Sequence, residues 1–361
     1  MKQMLTIYKL YTKEGIDNYK LLLSSLGINN PYYLPDYINV FSGGLENLIC
    51  FSFISDENNF IVIMPGYLRP IAIGGEKTDY FDFITPYGYT GPFFSANIRD
   101  LDICEFWKNV DQWYLDNNVV TEFIRFNLSG NYNEYSGDVV PTMLNVKGKI
   151  IDEESQWVSF DHKVRKNINK AKRENLTSEV HYKNIEEDKI LEFYDIYMLT
   201  MKRTNATVNF LYSFDDFKNF INYNEKHVAI CTVYFEAIPI SSELLLVSEE
   251  MIYSFLGGTD ENYFEKRPND FLKVEALNWA RFKNKKYYVL GGGYGFEDGI
   301  FKYKKSFFPN DVVSYYTGRK IINQKIYDQF IEKASELRVL SGNEKLNRTD
   351  TSFFPLYNKL N

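Results

Sequence analysis

The sequence predicts a mixed α/β protein of two lobes, and three observations carry that reading. Its 361 residues suggest two or three compact units on length alone. Segments with apolar residues at helical spacing alternate with short runs rich in β-branched and aromatic residues. Each half also contains a strand, a polar turn and a second strand, flanked by helices. Hydrophobic residues make up 45% and charged residues 25%, enough apolar material for a substantial core.

In chain order, Ile16–Leu26 reads as a helix. Leu48–Ile54 and Phe60–Met64 read as strands joined by the polar turn Ser55-Asp56-Glu57-Asn58-Asn59. A stretch rich in Pro and Gly follows, from Ile84 to Ser95. Arg99–Asn118 is a helix with Leu101, Cys104, Phe106, Trp107, Val110 and Tyr114 near one face, and Val120–Leu128 alternates as a strand. Around Lys147–Glu154 the pattern resets, which places the lobe boundary there. The first lobe is residues 1–152 and the second is 153–319, with 320–361 expected to pack back on the first.

In the second lobe, Lys163–Arg173 is a basic helix, and Ile190–Arg203 is a longer one with Ile190, Phe193, Tyr194, Tyr197 and Met201 on one face. Val228–Phe235, Ile238–Val247 and Met251–Leu256 are strands, the first two joined by Glu236-Ala237. Asp270–Lys283 is a helix and Tyr287–Leu290 a strand that leads into Gly291-Gly-Gly-Tyr-Gly295. A last helix runs over Gln324–Leu337.

Composition narrows the function classes. With 41 basic and 48 acidic side chains the net charge is −7, which disfavours general nucleic-acid binding. Cys50, Cys104 and Cys231 are far apart in apolar surroundings, so they read as buried small hydrophobes in a reducing cytoplasm. No apolar run approaches the ~18 residues of a membrane span, and the amino end lacks a signal-peptide pattern. His162, His181 and His227 fall in no metal-ligand spacing and accompany no nucleophile motif, so no metal is expected.

Four segments can carry chemistry. The first, Tyr80–Pro92, presents Tyr87 and Tyr89 on a turn, and a packed surface turn explains it equally. The second is the basic helix. Between Lys163 and Arg173 it has six cations, Lys163, Arg165, Lys166, Lys170, Lys172 and Arg173, and no anion. Val164, Ile168 and Ala171 would anchor it. Such a run is either a solvated face or a phosphate site. The third is Arg267-Pro-Asn-Asp270 opening a helix, where Asn269 or Asp270 would serve as cap. In the fourth, Gly291, Gly292 and Gly293 follow a strand and let backbone approach a ligand. It is no P-loop. The segment after them reads as a strand with Lys302 and Lys304 on one side and Lys305 on the other.

Taken in order, these segments resemble the Fem family of tandem GNAT-like transferases, with CelD-like acyltransferases as close relatives. The resemblance spans roughly residues 80–307. It rests on Tyr87-Gly-Tyr-Thr-Gly-Pro92, the KVRKNINKAKR helix, Tyr197–Asn205 with its arginine, and the block from Ser254-Phe-Leu-Gly-Gly to Phe307. It implies two GNAT-like lobes, each a mixed, mostly antiparallel sheet flanked by helices, with a cleft between them. It also implies transfer of an acyl or aminoacyl group to an amine of a cell-envelope precursor, a sugar or peptide carried on a nucleotide or lipid phosphate. The donor would be acyl-CoA or aminoacyl-tRNA. By that likeness Arg203 would contact phosphate, and Lys302 or Lys305 would stabilise charge on the carbonyl. The amine must lose a proton, and Asp298 and Glu243 are the candidate bases, Glu243 reading equally as a hydrogen-bonded strand residue.

The chain departs from the family's relatives at one motif. The pyrophosphate loop of ordinary GNAT enzymes, Gln/Arg-x-x-Gly-x-Gly/Ala, is matched by Arg267-Pro-Asn-Asp-Phe-Leu272, without glycine at either position. Charged tRNA is a possible partner, set against the acidic balance. A non-catalytic module that binds a phosphorylated glycan or tRNA, and a scaffold with a large apolar patch, are the competing readings.

Overall fold

The computed structural model describes residues 4–55, 60–95, 99–295 and 297–359. The first elements are β1 (Met4–Lys9), α1 (Lys13–Ser25), α2 (Pro35–Phe41), β2 (Leu48–Ser55), β3 (Phe60–Ile73), β4 (Glu76–Ile84) and β5 (Phe93–Phe94). Then come α3 (Asp100–Asp116), β6 (Val119–Arg125), β7 (Asp138–Lys149), α4 (Glu153–Ser159), α5 (His162–Arg173), β8 (Thr177–Tyr182), α6 (Glu187–Arg203) and α7 (Phe214–Tyr223). The remainder is β9 (Val228–Phe235), β10 (Ile238–Val247), β11 (Met251–Thr259), α8 (Pro268–Phe282), β12 (Tyr287–Gly291), α9 (Gly299–Lys305), β13 (Val312–Ile321) and α10 (Gln324–Leu340). The mixed α/β class expected from the sequence is what the chain adopts. The turn expected at residues 55–59 lies mostly outside the described residues.

Two compact units divide the chain, one of residues 1–28, 41–142 and 315–361, the other of residues 29–40 and 143–314. In the first, strands run in the order β1-β2-β3-β4-β6-β13, antiparallel except for the parallel pair β4 and β6. The α3 face made of Ile103, Phe106, Trp107, Val110 and Tyr114 closes the core over Phe51, Phe53 and Phe83. Leu101 and Cys104, read above as part of that face, are instead exposed. They lie two residues before Ile103 and Phe106, a spacing that turns them to the opposite side of a helix. Cys50 and Cys231 are buried, as expected. Glu122 is fully buried but satisfied. It accepts from Tyr114 (2.6 Å) and Tyr135 (2.7 Å), and Lys320 lies 3.2 Å away.

In the second unit the order is β7-β12-β11-β10-β9-β8. All pairs are antiparallel except β11 with β12. Val164, Ile168 and Ala171 anchor α5 to this core, beside Phe271, Leu272 and Leu277 of α8. The turn between β9 and β10 places both Glu236 (φ 50°) and Ala237 (φ 65°) in the left-handed region, the geometry that suits strand twist in a two-residue hairpin.

One expectation is corrected outright. Residues 301–307 do not form a strand; Gly299–Lys305 is helical. Asp298 caps it, its carboxylate accepting the Phe301 N–H at 2.8 Å. A cap of that kind fixes the first turn, and the three lysines then radiate at helical rather than alternating angles.

Candidate functional site

Parallel pairing of β11 with β12 covers only Met251–Tyr253 against Tyr287–Val289. Beyond it β11 continues to Thr259 bonded to β10 alone among the described strands, with a bulge that opposes Leu244 and Leu245 to Leu256 and Ser254. A bulge re-aims side chains, and here Ser254 and its neighbour Phe255 both line a cavity of about 590 Å³. Ser242 and Glu243 of β10 form its floor, the first two turns of α8 one wall, Thr200 and Arg203 of α6 another, and Ile300, Tyr303 and Lys304 of α9 the last.

The floor holds a closed network. Glu243 and Lys273 form an ion pair with side chains only 6% and 9% exposed. Ser254 donates to the same Glu243 oxygen and accepts from Lys273 at 2.8 Å. Tyr288 donates to the other carboxylate oxygen at 3.0 Å. Both carboxylate oxygens thus accept hydrogen bonds, the condition under which a buried pair is tolerated.

Lys304 stands apart from this network. Its ammonium donates to the Gly292 carbonyl at 2.6 Å and enters no ion pair among the described residues. Burial, reinforced by the charge of Lys273, outweighs Glu243 and Asp298 and lowers its pKa to about 8. Asp270, at the third position of α8, shows the opposite shift. Burial raises its carboxyl, against a hydrogen bond from Asn167 (2.9 Å) and the charges of Arg267 and Lys163. Tyr303 is driven well up by burial and by the nearby Asp270 and Glu243, and its oxygen accepts from Asn269 at 2.9 Å.

The candidate residues named from sequence fall into three groups. Arg203, Glu243 and Arg267 come together around this cavity. Arg203 stacks on Phe264, 5.1 Å from the ring centroid. Neither Lys302 nor Lys305 lines the cavity; Lys302 points to solvent. Asp298 is committed to the Tyr294 (2.6 Å), Gly295 (3.1 Å) and Phe301 (2.8 Å) N–H groups, which hold its carboxyl below the usual range. Of the three glycines, Gly293 serves this cap. A Cβ on Gly293 would lie 2.0 Å from the Asp298 carboxylate, and one on Gly292 would lie 2.8 Å from the Leu144 carbonyl. Gly291 closes β12.

Arg165 is used locally, donating to the Val158 (2.9 Å) and Phe160 carbonyls. Lys163 is exposed and Lys170 half-buried on α5. Tyr87 and Tyr89 belong to the other unit. The Tyr87 N–H donates to Ser42 at 2.7 Å, and the Tyr89 ring meets Tyr315 edge-on at 5.7 Å. The expected cap at Asn269 or Asp270 is also corrected. Arg267, in the left-handed region (φ 64°), is the residue before the first helical turn and makes no side-chain cap.

Sequence reading missed Lys273, Lys304 and Asp270 as cavity residues. A signal for the first and last was present: Arg267, Asp270 and Lys273 recur every third residue, one face of a helix. Lys304 was placed beside Lys302 by the mistaken strand and given no role of its own. Phosphate on a substrate fits the uncommitted side chains Arg203 and Arg267, which enter no ion pair among the described residues. It does not fit a glycine-lined backbone cradle, since Pro268 has no N–H and Asp270 brings a carboxylate to that turn. Among the described residues no cluster of His, Cys, Asp or Glu could hold a metal, and no helix is long and apolar enough to cross a membrane.

Residues 162–305 match the model of the GNAT acetyltransferase domain, a stretch that runs from α5 through α9 and contains the whole cavity. No curated protein matches this sequence. Among solved structures the chain is similar to FemX, with a TM-score of 0.57 at 11% identity over 78% of this chain and 89% of that one. It is similar to L-PGS from Bacillus licheniformis (TM-score 0.55, 12% identity, 85% and 92% covered). A third likeness is to the C-terminal domain of an Agrobacterium fabrum protein assigned as a lysylphosphatidylglycerol synthetase (TM-score 0.54, 10% identity, 90% and 96% covered). At these identities the shared property is the fold: residues 162–305 are similar to a GNAT acetyltransferase domain, and the chain shares a fold with FemX and L-PGS.

Proposed function

We propose that this chain is a cytoplasmic N-acyltransferase of the Fem type, with residues 153–319 as the transfer lobe. It would move an acetyl or aminoacyl group onto an amine of a cell-envelope precursor. The observation that carries the reading is Lys304: a half-buried lysine, in no ion pair among the described residues, lines a cavity inside the stretch that matches a GNAT domain. The envelope acceptor is supported by the likeness to FemX and by the Agrobacterium neighbour, whose name denotes synthesis of an aminoacylated lipid.

Acyl transfer to an amine asks three things of a site. A carbonyl must gain negative charge in the transition state, so a desolvated donor beside it is effective. Lys304 supplies that donor while its ammonium keeps its proton. The substrates must be held, and Arg203 and Arg267 fit phosphate oxygens by charge-assisted hydrogen bonds. If the donor is acyl-CoA, its thioester would supply the activated carbonyl. The amine must also lose its proton, which is taken up below.

Thermal unfolding with acetyl-CoA, CoA, charged tRNA and a UDP-linked amino sugar, combined with mass spectrometry for the amide product, tests the proposal. Saturating ligand at a hundredfold excess over Kd adds about 2.7 kcal/mol of apparent stability. A shift with CoA species would assign an acyl-CoA donor, and a shift with charged tRNA an aminoacyl ester. No shift with any of them, and no amide, overturns the proposal.

A further inference from the structure

Two carboxylates line the cavity, and they are not equivalent. Glu243 divides its oxygens among Lys273, Ser254 and Tyr288. Asp270 is 8% exposed, and its one side-chain donor among the described residues is Asn167, which binds Oδ1. No charged group closes on it as an ion pair among the described residues. Asp270 also occupies the first turn of α8, where the backbone dipole favours a negative group. That internal anion stands where an external phosphate would otherwise bind and repels one, while a cation entering the cavity meets it favourably. Phe255 and Tyr303 complete an aromatic lining suited to a cation.

We infer that Asp270 is the catalytic residue that receives the acceptor, binding the primary ammonium of the substrate and taking one of its protons. This rests on the acyl-transfer reading above. The step balances as follows. The ammonium gives one proton to the Asp270 carboxylate, and the freed lone pair of the amine forms the C–N bond at the donor carbonyl. The bond from that carbon to the leaving sulfur or oxygen then breaks. The leaving group departs with the bonding pair and is neutralised by the second amine proton, and Asp270 returns its proton to solvent. The upward-shifted carboxyl of Asp270 is the better base for this at neutral pH than an ordinary carboxylate. The acceptor class is therefore an anionic molecule with a primary amine close to its phosphate, since Arg267, the residue before α8, and Asp270, its third residue, line the same cavity.

Two probes that differ only by the ammonium test the assignment: aminoethyl phosphate and ethyl phosphate, titrated calorimetrically against the full chain. The wild-type protein should bind aminoethyl phosphate about tenfold more tightly, the worth of one charge-assisted hydrogen bond. In Asp270→Asn that ratio should fall to about one while ethyl phosphate binding holds or improves. Equal binding of both probes by the wild type, or a ratio unchanged in Asp270→Asn, overturns the inference and leaves the acyl-transfer reading standing. Failure of both phosphates to bind removes the arginine anion site, and with it the reading on which the inference rests. Carbodiimide labelling of Asp270 in the wild-type chain gives a second measurement that needs no variant. Aminoethyl phosphate should protect the carboxyl and ethyl phosphate should not, and equal protection refutes the contact.

Discussion

Lys273→Met breaks the Glu243–Lys273 pair beneath the cavity. Both side chains are more than nine-tenths buried, so solvent screens them little. Removing one partner of such a pair leaves an uncompensated charge, which costs about 3–5 kcal/mol. Ser254 and Tyr288 still donate to Glu243 after the change, which places this case near the lower figure. A loss of about 3 kcal/mol corresponds to an opening equilibrium roughly 150-fold more populated. Hydrogen exchange read on peptides over β10, β11 and the first turns of α8 measures that opening locally, without assuming that the two units unfold together. The double variant Glu243→Gln/Lys273→Met removes both charges and should recover at least half of the lost protection. A single variant within about threefold of wild type, or a double no better than the single, would refute the idea that charge compensation holds this floor together. The same change acts on chemistry. Lys273 is the second cause, after burial, of the low pKa of Lys304, so its removal should move the alkaline limb of the rate profile upward.

Lys304→Met should slow transfer by about a hundred- to a thousandfold, the usual cost of one oxyanion donor, and wild-type activity should decline as pH rises through about 8, where Lys304 loses its proton. Because its pKa is about 8 in the folded protein and about 10.4 unfolded, the folded state sheds this proton first, so Lys304 makes stability rise between those values. Lys304→Met is therefore expected to melt above the wild type at pH 7, with the gap closing near pH 10 in a fluorimetric scan. Arg203→Ala and Arg267→Ala should each raise KM for the phosphate-bearing substrate about tenfold with kcat largely kept, and should flatten its salt dependence. Gly258→Ala would bring a Cβ to 2.3 Å from the Ile196 carbonyl and 2.7 Å from the Thr200 hydroxyl. Forcing α6 off β11 in this way should cost about 1–3 kcal/mol, read as a lower melting temperature; an unchanged melt would show that the helix yields freely.

The fold was legible where one physical signal dominated. Val164, Ile168 and Ala171 marked the buried side of α5 because helical periodicity placed them on one stripe. Strands β9 to β11 were legible because continuous apolar runs bounded by turns have few alternatives. Reading failed where two signals competed. Cys104 and Leu101 are apolar but sit on the solvent side of α3, since hydrophobicity does not by itself specify a face. At residues 299–305 the aromatic content argued for a strand, while Asp298 three residues before Phe301 argued for a cap. The cap prevailed because its carboxylate ties three N–H groups at once.

That competition also decided how much of the site could be seen. With residues 301–305 read as a strand, Lys302 and Lys304 fall on one side and Lys305 on the other, and the likeness to the Fem family pointed to Lys302 or Lys305. Wound into α9, the same residues leave Lys302 in solvent and bring Lys304 to the cavity. The roles then distribute by element. The first two turns of α8 supply Asp270 and Lys273, whose spacing of three keeps them along one side, and Arg267 precedes the helix. The bulge in β11 supplies Ser254, which accepts from Lys273 and donates to Glu243. Glu243 thereby absorbs the charge of Lys273, and this leaves Lys304 of α9 and Asp270 of α8 as an acid and a base, neither in an ion pair among the described residues, lining one cavity. Their pKa values are pushed toward each other, the lysine down and the carboxyl up, by the same loss of water. A site with a lowered lysine and a raised carboxyl can hold a donor for the carbonyl and an acceptor for the amine proton at one pH. Two independent variants on different helices should therefore abolish different halves of one reaction: Lys304→Met should lower kcat with amine binding intact, and Asp270→Asn should lose the amine preference with phosphate binding intact.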